Sequence, residues 1–380
     1  MKKILIVFGT RPEAIKMAPL IKEFEKNRNE FDTKICVTAQ HRQMLDQILT
    51  LFNIKPDYDF NIMKPKQNLY DITASILLKM KKVLNEFKPD LVLVHGDTTT
   101  TFAAALSAYY QKIDVGHIEA GLRTGNIYSP YPEEINRQLA SKIAKYHFAP
   151  TAADKKNLLK ENIKKENIAV TGNTVIDALL MIVKRFKTDD KLKKATAKKI
   201  ADIGYPELDI NRFILATGHR RESFGEGFLN ICEGLKKTAK KYPNIDIVYP
   251  VHLNPNVKKP VEKILSGIQN IYLLKPINYQ SFVYLMSRSY IILTDSGGIQ
   301  EEAPSLKKPT LVIRDITERH QAIKAGTAKL IGTDKDNIFK QISLLIEDKN
   351  EYNNMIKRKN PYGSGHAAFK IVDFIKNKLK

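Results

Sequence analysis

Acidic side chains close two apolar runs within the segment His95–Arg137, HGDTTTTFAAALSAYYQKIDVGHIEAGLRTGNIYSPYPEEINR. The run Leu91–Val94 stops at His95-Gly96-Asp97, and a run around Val115–Ile118 stops at Glu119. The following loop carries Arg123, Tyr128, Glu133, Glu134 and Arg137. Carboxylates that share a cleft can be driven to different pKa values and divide acid and base work. For any one of these acids a solvated loop charge or a helix cap is the plain alternative. Their clustering is what points to a site.

A second set of residues suits an anion. Ser296-Gly297-Gly298 follows an apolar run and precedes a helical stretch, where glycines let the backbone approach a phosphate and helix N–H groups supply donors. Glu301 or Glu302, just inside that helix, could accept from ribose hydroxyls. Gly218-His219-Arg220-Arg221 ends another apolar run, and His219 there could act as a general acid or a diphosphate donor. Near the N-terminus, Gly9-Thr10-Arg11 follows a strand, and Arg11 and Lys16 at the next helix start could hold a phosphate.

These residues need rigid elements to position them. Short apolar runs bounded by Gly and turn residues read as buried parallel strands. They fall at Lys3–Phe8, Lys34–Ala39, Leu91–Val94, Val115–Ile118, Tyr146–Ala149 and Ile168–Thr171. A second series follows at Phe213–Ala216, Ile245–Pro250, Ile271–Leu274, Ile291–Leu293 and Thr310–Ile313. Helical patterns lie between them, including a basic helical linker that ends at Ile203. The alternation predicts an α/β protein with two doubly wound, Rossmann-like domains. Residues 1–172 form the first and 173–364 the second. A C-terminal amphipathic helix, within 365–380, packs back on the first. Ligands of such sheets bind beyond the carboxyl ends of the strands, so the expected site is the interdomain cleft, with acids from one domain and anion donors from the other.

Composition narrows the function further. At 380 residues and 43% hydrophobic content, the chain can build two ordinary domains. No apolar run approaches membrane-spanning length, and MKKILIVFGTRPE lacks the length and cleavage site of a signal peptide. A cytoplasmic protein is expected. Two distant cysteines and eight scattered histidines argue against a disulfide framework or a zinc site. The net charge of +21 comes largely from lysines spread over helix surfaces, without a nucleic-acid motif. A basic cleft would still draw a nucleotide diphosphate. Neither G-x-G-x-x-G nor a P-loop is present, so neither a nicotinamide cofactor nor a P-loop ATPase is supported.

The chain resembles the bacterial non-hydrolysing UDP-N-acetylglucosamine 2-epimerases over essentially its whole length. The resemblance rests on FGTRPEAIKMAPL, TAQHRQMLDQ, HGDTTTT, HIEAGLRTG, PEEINR, TGNTVIDAL, TGHRRESFG, YPVHLNPNV and TDSGGIQEEAPS. It implies a GT-B type fold and a homodimer. It also implies interconversion of UDP-GlcNAc and UDP-ManNAc without cofactor or metal, by anti elimination of UDP to a bound 2-acetamidoglucal. By the same resemblance Asp97, Glu119, Glu133 and His219 are catalytic, with the roles of the individual carboxylates left open. Arg11, Lys16, Phe282, Ser296, Gly297, Gly298 and Glu302 contact substrate or UDP. Gln40, Gln43, Lys66, Glu133, Arg220 and His252 match a second, activating UDP-GlcNAc site. Lys66 replaces the arginine of some relatives, losing bidentate pairing, and His320-Gln321 stands where Pro-Glu is usual. A hydrolysing relative, an epimerase of a modified UDP-aminosugar, a GT-B glycosyltransferase and a nucleic-acid binder are the competing readings.

Overall fold

The computed structural model describes residues 1–39, 42–64, 67–206 and 212–379. Two compact units emerge: Met1–Ala178 with Tyr362–Lys380, and Leu179–Pro361. The sequence-based boundaries at 172/173 and 364/365 therefore shift by a few residues. The opening turn of helix Thr174–Thr188 belongs with the first unit because Asp177 accepts from the backbone N–H of Ala367 and Ala368, at 3.2 and 2.9 Å.

Among the described residues the first unit holds a parallel sheet of β1 (Lys2–Phe8), β2 (Phe31–Val37), β3 (Tyr58–Asp59), β4 (Leu91–His95), β5 (Asp114–Ile118), β6 (Tyr146–Ala149) and β7 (Ile168–Val170). The order is β3-β2-β1-β4-β5-β6-β7. Every residue of β4, LVLVH, is buried, as expected of a strand covered on both faces. Residues from β1 and β4 pack with Ile76, Met80 and Leu84 of helix Leu69–Phe87 in one apolar core. The C-terminal helix Ala367–Lys378 lies in this unit, with Phe374 edge-on to Tyr146 and Phe148.

The second unit repeats the plan with β8 (Arg212–Thr217), β9 (Ile245–Pro250), β10 (Ile271–Leu274), β11 (Ile291–Thr294), β12 (Thr310–Val312) and β13 (Ala328–Leu330), all parallel. Their order is β10-β9-β8-β11-β12-β13. The expected linker helix is Asp190–Asp202 and is part of this unit: it buries Thr196 and Ile200, and Gln280 donates to the Thr196 hydroxyl at 2.8 Å. Among the described residues no helix is long and apolar enough to cross a membrane.

Strand order reverses between β1 and β4 in one sheet and between β8 and β11 in the other. Connections leave such a point toward opposite faces and open a crevice at the strands' carboxyl ends. The chemistry-bearing loops found in the sequence begin at these four strands and at β5.

Candidate active site

In the first unit one buried carboxylate ties the switch point together. Glu13, 2% exposed, follows β1 in helix Arg11–Lys26. It accepts from the N–H of Gly9 and Thr10 at 3.0 and 2.8 Å, and from the Thr98 hydroxyl of the β4 loop at 2.8 Å. Burial raises its pKa against the pull of these bonds. Behind it the Thr38 and Thr100 hydroxyls share a hydrogen bond of 2.9 Å. They pack so closely on Gly9 that an added Cβ would lie 2.1 Å from Thr38 Oγ1. A side chain does not fit there.

Asp97 and Glu119 emerge one strand apart. Asp97 pairs with Arg137, which also donates to Glu134 at 3.0 Å, while Asn136 donates to the Asp97 carbonyl at 3.0 Å. Glu119 pairs with Lys16 and accepts from Asn173 Nδ2 at 2.7 Å. Its backbone is left-handed at φ 62°, a conformation that costs energy for a non-glycine residue and recurs at functional sites. His95 Nε2 lies 3.9 Å from the Glu119 carboxylate. Neither ring nitrogen of His95 has a hydrogen-bond partner among the described residues. Burial, opposed by the Glu119 charge, pushes its pKa down to about 4, so the imidazole is neutral near pH 7. Glu133 opens helix Glu133–Ile143, and its Oε2 is buried with no hydrogen-bond partner among the described residues. Such an acceptor calls for a ligand or water.

Two members of the sequence cluster do other work. Arg123 is committed to Glu161, at 2.6 and 2.9 Å, and to Ser141. Glu134 is fully buried and accepts from Thr124 N–H, Arg137 and Gln138, fixing the loop that leads to Glu133.

The second unit has its own central carboxylate. Asp295, 1% exposed, follows β11 and accepts from the backbone N–H of His219 and Arg220 at 2.6 and 2.7 Å. The Thr217 and Thr294 hydroxyls join the ends of β8 and β11 at 2.7 Å. His219 stacks on His252 with ring centroids 5.6 Å apart, and its Nδ1 lies 3.3 Å from Asp295. Burial lowers the His219 pKa, opposed by the Asp295 charge.

Ser296, Gly297 and Gly298 form the turn into helix Gly297–Glu302. A Cβ on Gly297 would lie 2.9 Å from Glu318 Oε1 and 3.8 Å from Arg220 Nη2, so glycine brings bare backbone up to a charged surface. Glu318 accepts from Arg314 at 2.7 Å and Arg220 at 3.4 Å. Burial pushes its pKa up, but the charges of Arg319 and Arg314 prevail and hold it at about 2. Of the two ribose candidates, Glu301 pairs with Arg319, and Glu302 accepts from the Tyr279 hydroxyl. Phe282 is half-buried one turn beyond Tyr279 on helix Tyr279–Arg288. Residues at that spacing share a helix face.

Arg11 begins the helix that carries Lys16. Gln43 is exposed on helix Arg42–Leu51, and His252 is exposed beyond β9. Gln40 and Lys66 lie outside the described residues. Asn173 and Arg137 do not stand out in the sequence as partners of the acids, nor Glu13 as the link between the β1 and β4 loops. The one available signal is position: Glu13 in a helix first turn, Asn173 just after a strand, and Arg137 in the helix that follows the acidic loop. Among the described residues no group of three or more His, Cys, Asp or Glu is arranged to hold a metal ion.

Two parallel α/β units, each with charged loops at its strand-order reversal, define an enzyme of the two-Rossmann-unit, GT-B class. A family model described as UDP-N-acetylglucosamine 2-epimerase matches residues 23–376. The Campylobacter jejuni UDP-N-acetylglucosamine 2-epimerase is 59% identical over 98% of this chain and 97% of its own. The Salmonella typhimurium enzyme of that name is 57% identical over 99% of this chain and 98% of its own. The crystal structure of the Neisseria meningitidis UDP-GlcNAc 2-epimerase bound to UDP-GlcNAc superposes with a TM-score of 0.89, at 55% identity, covering 99% of this chain and all of that one. The chain belongs to the UDP-N-acetylglucosamine 2-epimerase family.

Proposed function

We propose that this enzyme interconverts UDP-GlcNAc and UDP-ManNAc by anti elimination and re-addition of UDP. The observation that carries the reading is the pair Asp97 and Glu119, delivered by adjacent parallel strands and each set against its own cation. The C2 proton is not adjacent to a carbonyl, so a base alone removes it poorly. Cleavage of C1–O lets positive charge grow at C1 and acidifies C2–H, which requires UDP to be stabilised as it departs. One carboxylate among Asp97, Glu119 and Glu133 takes the C2 proton as the C1–O bond breaks, leaving 2-acetamidoglucal. UDP then re-adds at C1 while a proton is delivered to the other face of C2.

In this reading the second unit handles UDP. His219, Ser296 and the backbone at Gly297 and Gly298 take the diphosphate, Glu302 the ribose, and Phe282 walls the uracil. Arg11 and Lys16 supply positive charge on the first unit. Gln40, Gln43, Lys66, Glu133, Arg220 and His252 form the activator site for a second UDP-GlcNAc. The exposed Tyr70 and Leu78 of helix Leu69–Phe87, and Tyr109 and Tyr110 of the neighbouring helix Thr99–Tyr110, leave large apolar side chains uncovered, which supports a homodimer. A monomer by light scattering would remove the dimer. The product feeds cytoplasmic synthesis of surface polysaccharide, so deleting the gene should strip ManNAc-type sugars from it.

The test is NMR of the purified protein with UDP-GlcNAc in D2O, with neither NAD nor metal added. UDP-ManNAc, with deuterium at C2 of the sugar, is the expected outcome. Free ManNAc with UDP would move the chain to the hydrolysing reading, and no reaction without an acceptor would favour glycosyl transfer. Starting from UDP-ManNAc, a trace of UDP-GlcNAc should accelerate turnover; an unchanged rate would remove the activator site.

A further inference from the structure

Asn173 follows β7 and Gly172 where the chain begins helix Thr174–Thr188, and it is 2% exposed. Its side-chain orientation is fixed by what surrounds it. Oδ1 accepts from Val175 N–H at 3.1 Å, capping the helix. That partner is a donor, so the oxygen must face it, and the amide nitrogen is turned to Glu119 Oε2 at 2.7 Å. The backbone N–H of Asn173 donates to the Tyr362 carbonyl at 2.7 Å. Gly172 packs on the same segment: a Cβ there would lie 3.0 Å from Tyr362 O and 3.3 Å from Gly363 Cα. Tyr362 is the first residue of the returning chain counted with the first unit, and helix Thr174–Thr188 carries the outgoing chain.

We infer that Asn173 is a positioning residue for Glu119, holding the carboxylate in its working orientation and tying that orientation to the two passages of chain between the units. Glu119 sits on a left-handed backbone at a strand end, so its side chain needs external partners to stay in one place. Lys16 supplies charge but is a flexible point donor. Asn173 supplies a short, rigid amide fixed on both sides. The inference rests on the reading that Glu119 acts on the sugar.

Asn173→Asp separates this role from capping. An aspartate keeps the acceptor for Val175 N–H and suits a helix start. It replaces the donor facing Glu119 with a second carboxylate oxygen, and neighbouring carboxylates resist ionising together. The expected result is a fall in kcat of about 10- to 100-fold, the scale at which groups orienting a reacting ligand act. KM should change little, and the acid limb of the kcat/KM profile should move to higher pH. Asn173→Ser, which keeps a capping oxygen but loses the reach to Glu119, should lower kcat and move the acid limb in the same direction by less than Asn173→Asp does, since it removes a donor without adding a second carboxylate. It also provides the test if the aspartate variant does not fold. Glu119→Gln, assayed alongside, distinguishes the two failures. An inactive Glu119→Gln beside wild-type kcat and pH profile in the Asn173 variants would overturn the inference alone. Wild-type turnover by Glu119→Gln would remove the reading of Glu119 and the inference with it.

Discussion

Asp97 and Glu119 lie just beyond the ends of adjacent strands, yet their cations differ in kind. Arg137 is a planar fork shared between Asp97 and the buried Glu134, so it stays anchored whatever happens to Asp97. Asp97→Asn therefore keeps the shape and the arginine while removing the carboxylate. It should lower kcat by about two to four orders of magnitude, the usual range for a lost general acid or base. UDP affinity by calorimetry should be unchanged. Wild-type turnover would remove Asp97 from the mechanism. At this scale the two acids are legible in the sequence, because a carboxylate directly after an apolar run falls at a strand's carboxyl end. Their partners are not. Asn173 is 54 positions from Glu119, and nothing local to either residue marks the pairing. Arg123 and Glu134 carry the same charges as true candidates, and only burial against Glu161 or the Thr124 loop separates them.

Each strand-order reversal is held by a buried carboxylate: Glu13 between the β1 and β4 loops, Asp295 between the β8 and β11 loops. The structural weight of Glu13 can be read from its donors. Glu13→Ala leaves the N–H groups of Gly9 and Thr10 and the Thr98 hydroxyl without their acceptor, at about 1–3 kcal/mol for each group that stays unsatisfied. Relief of the buried charge offsets part of that. The net expectation is a loss of about 2–4 kcal/mol in urea unfolding, read on the first unit's transition. A change within about 0.5 kcal/mol, the size of an ordinary surface substitution, would refute the clamp. Elements with apolar runs, such as Tyr146–Ala149 and Ile245–Pro250, have the ends that the sequence predicts. The short strands β3 and β13 are not predicted. Tyr58–Asp59 and Ala328–Leu330 contain no apolar run, and only a neighbour already in place makes them strands. The basic helix Asp190–Asp202 reads as a linker for a related reason: two buried positions, Thr196 and Ile200, are too few to announce a packed face.

At the scale of the whole molecule, three of the described histidines of the first unit, His95, His117 and His147, are buried and neutral. Burial is the main cause at each: His95 and His147 fall to about 4 and His117 to about 3. The unfolded chain takes up these protons near pH 6.5, while the folded protein resists them until about 4 or below. Between those values the unfolded state binds more protons, so each histidine's contribution to stability is full above pH 6.5 and is lost as pH falls through this window. Glu13 and Asp177 act oppositely. Burial raises their pKa values, so they favour the folded state as pH drops toward the carboxylate range. A single wild-type curve therefore mixes both signs, and a difference measurement isolates one. His147 pairs with His117 across β5 and β6, and its Nδ1 is buried with no hydrogen-bond partner among the described residues. His147→Gln removes one titrating ring from that pair. Lowering the pH from 7 to 5 crosses about 1.5 units of the window at about 1.4 kcal/mol per unit. The wild-type protein should therefore lose about 2 kcal/mol more than the variant over that interval, measured by urea unfolding at the two pH values. Equal losses would mean that His147 is already protonated in the folded protein at pH 5, and that burial does not hold this ring neutral.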